Sequence, residues 1–183
     1  MAHHNLYLSL CEVSFSVWDQ RGCTGSLRIT PVGFEAADGR DENDEPRKQI
    51  YCIYVRVTLE TGGLNCTTGD VIYPEHFDEL AEALSRFRDG LDNGYVLQGV
   101  EGCIELQFAR RTGYGDVVIS GSIPARGRHW EHWLQLDPML PKRMMKSVVD
   151  FEFWVDANRL SDPITEIKLL RRKIREIERE IPS

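Results

Sequence analysis

The sequence predicts an α+β fold, a largely antiparallel β-sheet packed against two main helices. Three observations carry this expectation. Several segments alternate apolar and polar residues with a period of two, residues 50–59 (IYCIYVRVTL) most clearly. Two others, beginning at Pro74 and near Asp162, repeat apolar residues every three or four positions. Short turns separate successive strands, which implies hairpins, and two helices are too few for the crossovers of a doubly wound parallel sheet.

In chain order, Cys11, Val13, Phe15 and Val17 share one face of a first half-buried strand. Turns at Arg21-Gly22 and Thr24-Gly25 lead to a second strand through Leu27 and Ile29. Pro31 is expected at its end or at a sheet edge, because proline donates no ladder hydrogen bond. Residues 35–48 carry six acidic and three basic side chains and almost nothing apolar. Such a segment cannot offset its ordering entropy by burial, so a mobile acidic loop is expected there. In the strand at 50–59, Tyr51, Ile53, Val55, Val57 and Leu59 fall on one face. A short strand near 66–73 should pair beside it.

Pro74 suits a first helical turn, and Glu75, Asp78 and Glu79 favour the positive helix end. Phe77, Leu80, Leu84, Phe87 and Leu91 form its core stripe, and Gly90 and Asn93-Gly94 stop it. Further strands are expected at 104–108, 117–121, 130–136 and 149–155. Gly113-Tyr114-Gly115 reads as a hairpin turn, since it lacks the lysine and helix that phosphate cradling needs. The chain ends in an amphipathic helix over about 162–180, capped by Ser161 or Asp162, with Pro163 in its first turn. Its last turns either fray or pair with a second copy, so a homodimer is one candidate assembly.

At 183 residues, 42% of them hydrophobic, the chain fits one domain, 1–183, with no evident linker. The net charge of −7 argues against bulk affinity for nucleic acid or an anionic membrane. Residues 1–105 hold 18 acidic and 8 basic groups, against 11 and 14 in 106–183, so a cationic partner would meet the N-terminal half. Solvated faces that simply differ in charge are the plainer account. Five dispersed cysteines without a C-x-x-C pair suit a reducing compartment, and cytoplasmic placement is expected. No secretion signal and no membrane span are read from the sequence.

No catalytic constellation emerges, and neither a metal nor a cofactor is expected. His129 and His132 would face opposite ways on a strand. Asp150 and Glu152 share a strand face at a separation that suits a retaining glycosidase, but exposed faces carry such pairs routinely. Glu101 and Glu105 are as ordinary. Two features suit binding instead. One is the acidic segment with Asp38, Asp41, Glu42, Asp44 and Glu45; the other is Trp130, Trp133 and Trp154 near Arg126, Arg128 and His129. Aromatic residues beside arginines are common at protein-interface centres. The same tryptophans can equally fill the interior.

Residues 51 to about 170 also resemble small bacterial immunity proteins of the WapI immunity type and related uncharacterised bacterial domains. The likeness lies in VRVTL at 55–59, the acidic helix with Phe77, Leu80 and Leu84, and EGCIELQF at 101–108. It continues in GDVVISG at 115–121 and FEFWVD at 151–156. The resemblance implies a cytoplasmic protein that neutralises a cognate toxin by occlusion, with no chemistry of its own. Two other readings stand beside it. One is a small-molecule-binding or enzymatic domain with a pocket between sheet and helix, lined by Trp130, Trp133, Trp154 and Glu152. The other is a structural or oligomerisation subunit acting through the C-terminal helix.

Overall fold

Val13, Phe15 and Val17 alternate with Ser14, Ser16 and Trp18 in β1 (Val13–Trp18), and only the first set is fully buried. The same period of two builds β2 (Thr24–Arg40), β3 (Pro46–Thr61) and β4 (Leu64–Ile72). After α1 (Pro74–Arg88) come β5 (Tyr95–Gln98), β6 (Glu105–Arg110), β7 (Asp116–Pro124) and β8 (Val148–Asp156). A 3₁₀ turn (Ala157–Leu160) then leads into α2 (Ser161–Glu180). The computed structural model describes residues 11–40, 46–62, 64–91, 94–111, 115–124 and 148–181.

These strands form one eight-stranded sheet in the order β4-β3-β2-β1-β8-β7-β6-β5, with every pairing antiparallel. With both helices packed on one apolar cluster, this is the α+β class that the sequence predicts. The sheet falls into two four-stranded halves, because β1 and β8 pair only at Trp18 and Trp154. Among the described residues β1 makes no further pair with β8, and α2 serves that strand instead: the Ser14 N–H donates to the Glu166 carboxylate at 2.7 Å.

Both helices lay an apolar stripe on the core. Phe77, Leu80, Leu84 and Phe87 of α1 are fully buried, as are Ile167, Leu170 and Ile174 of α2. Leu91 departs from the expected stripe and is 77% exposed, because the helix stops at Arg88 and Gly90, at φ +80°, turns the chain away. Neither Ser161 nor Asp162 caps α2. The capping carboxylate is that of Asp156, which takes the Asn158 N–H at the head of the preceding 3₁₀ turn. The last turns of α2 lie on β3: Ile177 is buried, and the Ile50 N–H donates to Glu178 at 3.0 Å.

Two expectations along β2 and β3 are corrected. Pro31 does not end its strand: β2 runs past it, paired with β3, beyond the last described β1 pair at Ile29. Val32 is an extra residue between the pairs Pro31–Val55 and Gly33–Tyr54, and such a bulge tolerates a missing donor. The acidic loop expected at 35–48 is mostly strand. β2 continues to Arg40 and β3 starts at Pro46, paired rung by rung from Ala36–Ile50 to Arg40–Pro46. Backbone pairing and the underlying Ile50 and Cys52 supply the order that composition alone denied it.

The sheet curls until its two ends meet. The Val100 N–H, just after β5, donates to the Val71 carbonyl of β4 at 2.8 Å. Beside this link the Asp70 carboxylate, 4% exposed, takes the N–H groups of Val71, Glu101, Cys103 and Ile104 at 2.7–2.9 Å. Gly99 presses against the same carboxylate so closely that a Cβ there would lie 2.0 Å from Oδ2. Asp70 thus buckles one edge of the sheet to the turn beyond the other.

Candidate functional site

The part of the molecule that reaches beyond its own packing is the distal β2–β3 hairpin. β1 pairs with β2 only up to Ile29, and β4 pairs with β3 only from Ile53 onward. Among the described residues, Gly33 to Arg40 and Pro46 to Cys52 pair only with each other. They form a two-stranded arm supported by the end of α2.

A second bulge shapes what the arm presents. Cys52 pairs with Glu35 and Ile50 with Ala36, so Tyr51 is the extra residue. The extra residue reverses the alternation. Ile50, Cys52 and Ile53 are buried, while Tyr51, expected on the core face, is 47% exposed. Tyr51 and Tyr54 both donate their hydroxyls to the Glu35 carboxylate.

These bonds stabilise the charged acid and hold Glu35 below its usual range, with the Tyr51 bond the larger cause and the Tyr54 bond next. Conversely the Glu35 carboxylate pushes Tyr51 up to about 12. Tyr54 is also raised, by burial first and by Glu35 second. Glu35 therefore stays ionised with two phenol rings fixed beside it.

Further out, exposed Asp38 pairs with Lys48 directly across the hairpin. Gln49 donates its side-chain amide to the Arg40 carbonyl at 2.7 Å. Asp41, Glu42, Asp44 and Glu45 follow in sequence and lie outside the described residues. The arm thus brings Glu35 and Asp38 to the approach of that acidic run.

The tryptophan cluster divides. Trp130 and Trp133, with Arg126, Arg128, His129 and His132, lie outside the described residues, as does the strand expected at 130–136. Trp154 is 8% exposed, opposite Trp18 across the β1–β8 joint and beneath the Arg111 guanidinium at 5.9 Å. It fills the joint, one of the two roles its sequence context allowed. Asp150 and Glu152 are exposed on β8 opposite Ser122 and Ser120. Among the described residues no group of three or more His, Cys, Asp or Glu side chains is placed to hold a metal ion. Among them, too, no helix is long and apolar enough to cross a membrane.

Sequence reasoning missed Glu35, Tyr51 and Tyr54 as a unit. The available signal was a pair of tyrosines three apart in an otherwise aliphatic strand, facing an acid on its partner. Asp70 was missed too, although a lone aspartate within a strand already signals a special role.

Fold and arm together define an α+β protein with a curled antiparallel sheet and, among its described residues, a β2–β3 ribbon carrying surface acids. No protein-family model, no curated protein and no solved structure matches this chain.

Proposed function

We propose that this chain is a cytoplasmic, non-enzymatic protein-binding domain that neutralises a cognate toxin by occlusion, the β2–β3 arm being the surface that meets it. The observation that carries this reading is the arm itself: a paired ribbon with Glu35 between two tyrosines, followed in sequence by four more acids. Tyrosine supplies contact area at low entropic cost, and acids steer a basic partner and fix its orientation. The partner is therefore a cationic protein domain.

Co-expression tests it. The chain is expected to restore growth to cells making the toxin domain encoded beside its own gene, and to be captured with that domain in a pull-down. Absence of both protection and capture would refute the proposal.

A further inference from the structure

Where the sheet closes, the start of α1 and the β5–β6 turn border an open cleft of about 490 Å³. Its size falls within the range of small-ligand sites. Gly99 and Gly102, the latter at φ +66°, are part of its lining. Tyr73, Tyr95, Glu79 and Glu101 stand around it, with Val96 and Val100 at the rim.

We propose that this cleft binds an organic cation, an alkylguanidinium or alkylammonium group on an apolar stem. Four features select that chemistry. Glu79 and Glu101 are the acids of the lining, which includes neither lysine nor arginine. The amides of Gly99, Val100, Glu101 and Gly102, which could have greeted an anion, are already spent: Gly99 donates to the Ile104 carbonyl, Val100 to Val71, Gly102 to Gly99, and Glu101 to the Asp70 carboxylate. Aromatic side chains share the lining: Tyr95 hydrogen-bonds Glu79 and Tyr73 stands edge-on to His76 at 5.6 Å, and a cation gains from such neighbours when partly desolvated. Finally, Tyr73, Val96 and Val100 are each about half exposed, so apolar surface for a stem gathers at the mouth of an acidic cleft.

The side chains are held in place for this task. The Tyr95 hydroxyl sits between the His76 carbonyl, at 3.2 Å, and the Glu79 carboxylate. The main chain at Glu101 is fixed by its N–H, which donates to Asp70 at 2.9 Å. Burial and the nearby Asp70 charge push the Glu101 carboxyl up, and an arriving cation would relieve both costs. Such a cation can come from a free amine or from a basic side chain of a protein partner, since the recognised group is the same.

Amide-resolved NMR titration of the full chain separates these cases. Agmatine and a blocked pentapeptide with a central arginine are the cationic probes, with glutarate as the anionic control. Saturable shifts at Val96, Val100 and Glu101 with either cation, absent with glutarate, are expected. A response to agmatine assigns a free amine as the source; a response to the peptide alone assigns a protein side chain. The double variant E79Q/E101Q, with both positions at the surface, should keep its thermal midpoint and bind about tenfold more weakly or worse. No saturable shift with either cation, equal response to glutarate, or unchanged binding by the folded double variant would overturn the proposal.

Discussion

Glu35 on the arm takes its two side-chain hydrogen bonds from tyrosine hydroxyls at the surface, whereas Asp70 at the closure takes four from backbone amides in the interior. Each is a carboxylate ringed by donors, yet they sit at opposite ends of the burial scale. Replacing Asp70 would leave donors stranded away from water. Replacing Glu35 would return two hydroxyls to solvent. The same chemistry therefore locks the fold in the interior at Asp70 and leaves a hydrogen-bonded acid at the surface at Glu35, only a rung away through the Tyr54–Val71 pair.

That contrast breaks most visibly at Asp70. Asp70→Ala strips the acceptor from four amides, and a loss of about 3–5 kcal/mol is expected in urea unfolding, since each stranded buried donor costs roughly 1–3 kcal/mol. Gly99→Ala comes next. Its Cβ would collide with the Asp70 carboxylate, and a loss of about 1–3 kcal/mol is expected in the same assay. A neutral outcome at either position would mean that the buckle is not what closes the sheet.

At the arm the expectation reverses. Glu35→Gln should move stability by less than about 0.5 kcal/mol, as for other surface substitutions. The phenol titration should move instead: Tyr51 is held up to about 12 chiefly by Glu35 and should fall towards its ordinary value, about 10, on absorbance titration. If the two tyrosines titrate identically in both proteins, the Glu35 cluster does not persist in solution.

The smallest effect is the dependence of stability on pH. Asp70, Glu101 and Glu166 are all raised, each by burial first. An acid raised on folding binds more protons in the native state than in the unfolded chain. Its contribution is complete below the unfolded value and is lost as pH rises through the folded one. Glu35 and Glu176 are lowered, by bonds to Tyr51 and Lys173 respectively, and lose their contribution only as pH falls through their folded values. The thermal midpoint should therefore rise modestly on acidification from neutrality to about pH 5, then fall below the ordinary carboxylate range near pH 4. A midpoint falling steadily from pH 7 would contradict this balance.

Periodicity made much of this fold legible. β3, β8 and both helices follow from apolar spacing, because each buries one regular face. What escaped is non-local. The extra residues Val32 and Tyr51 shift register only when two strands meet, so the exposure of Tyr51 could not be read from β3 alone. Glu35 to Arg40 looked like loop because their composition is polar, and their order comes from a paired strand and from α2. Asp70 finds its donors 31 to 34 residues away in sequence for three of its four bonds. No local pattern announces such a contact.

The most direct test of the arm as a docking surface is affinity for the cognate toxin domain, measured across ionic strength. The native chain is compared with a variant in which Glu35, Asp38, Asp41, Glu42, Asp44 and Glu45 are replaced by their amides. Binding by the native chain should weaken steeply with salt, while the variant should keep its thermal midpoint and lose about a hundredfold in affinity or more. Equal affinity of the two proteins, unmoved by salt, would contradict the account.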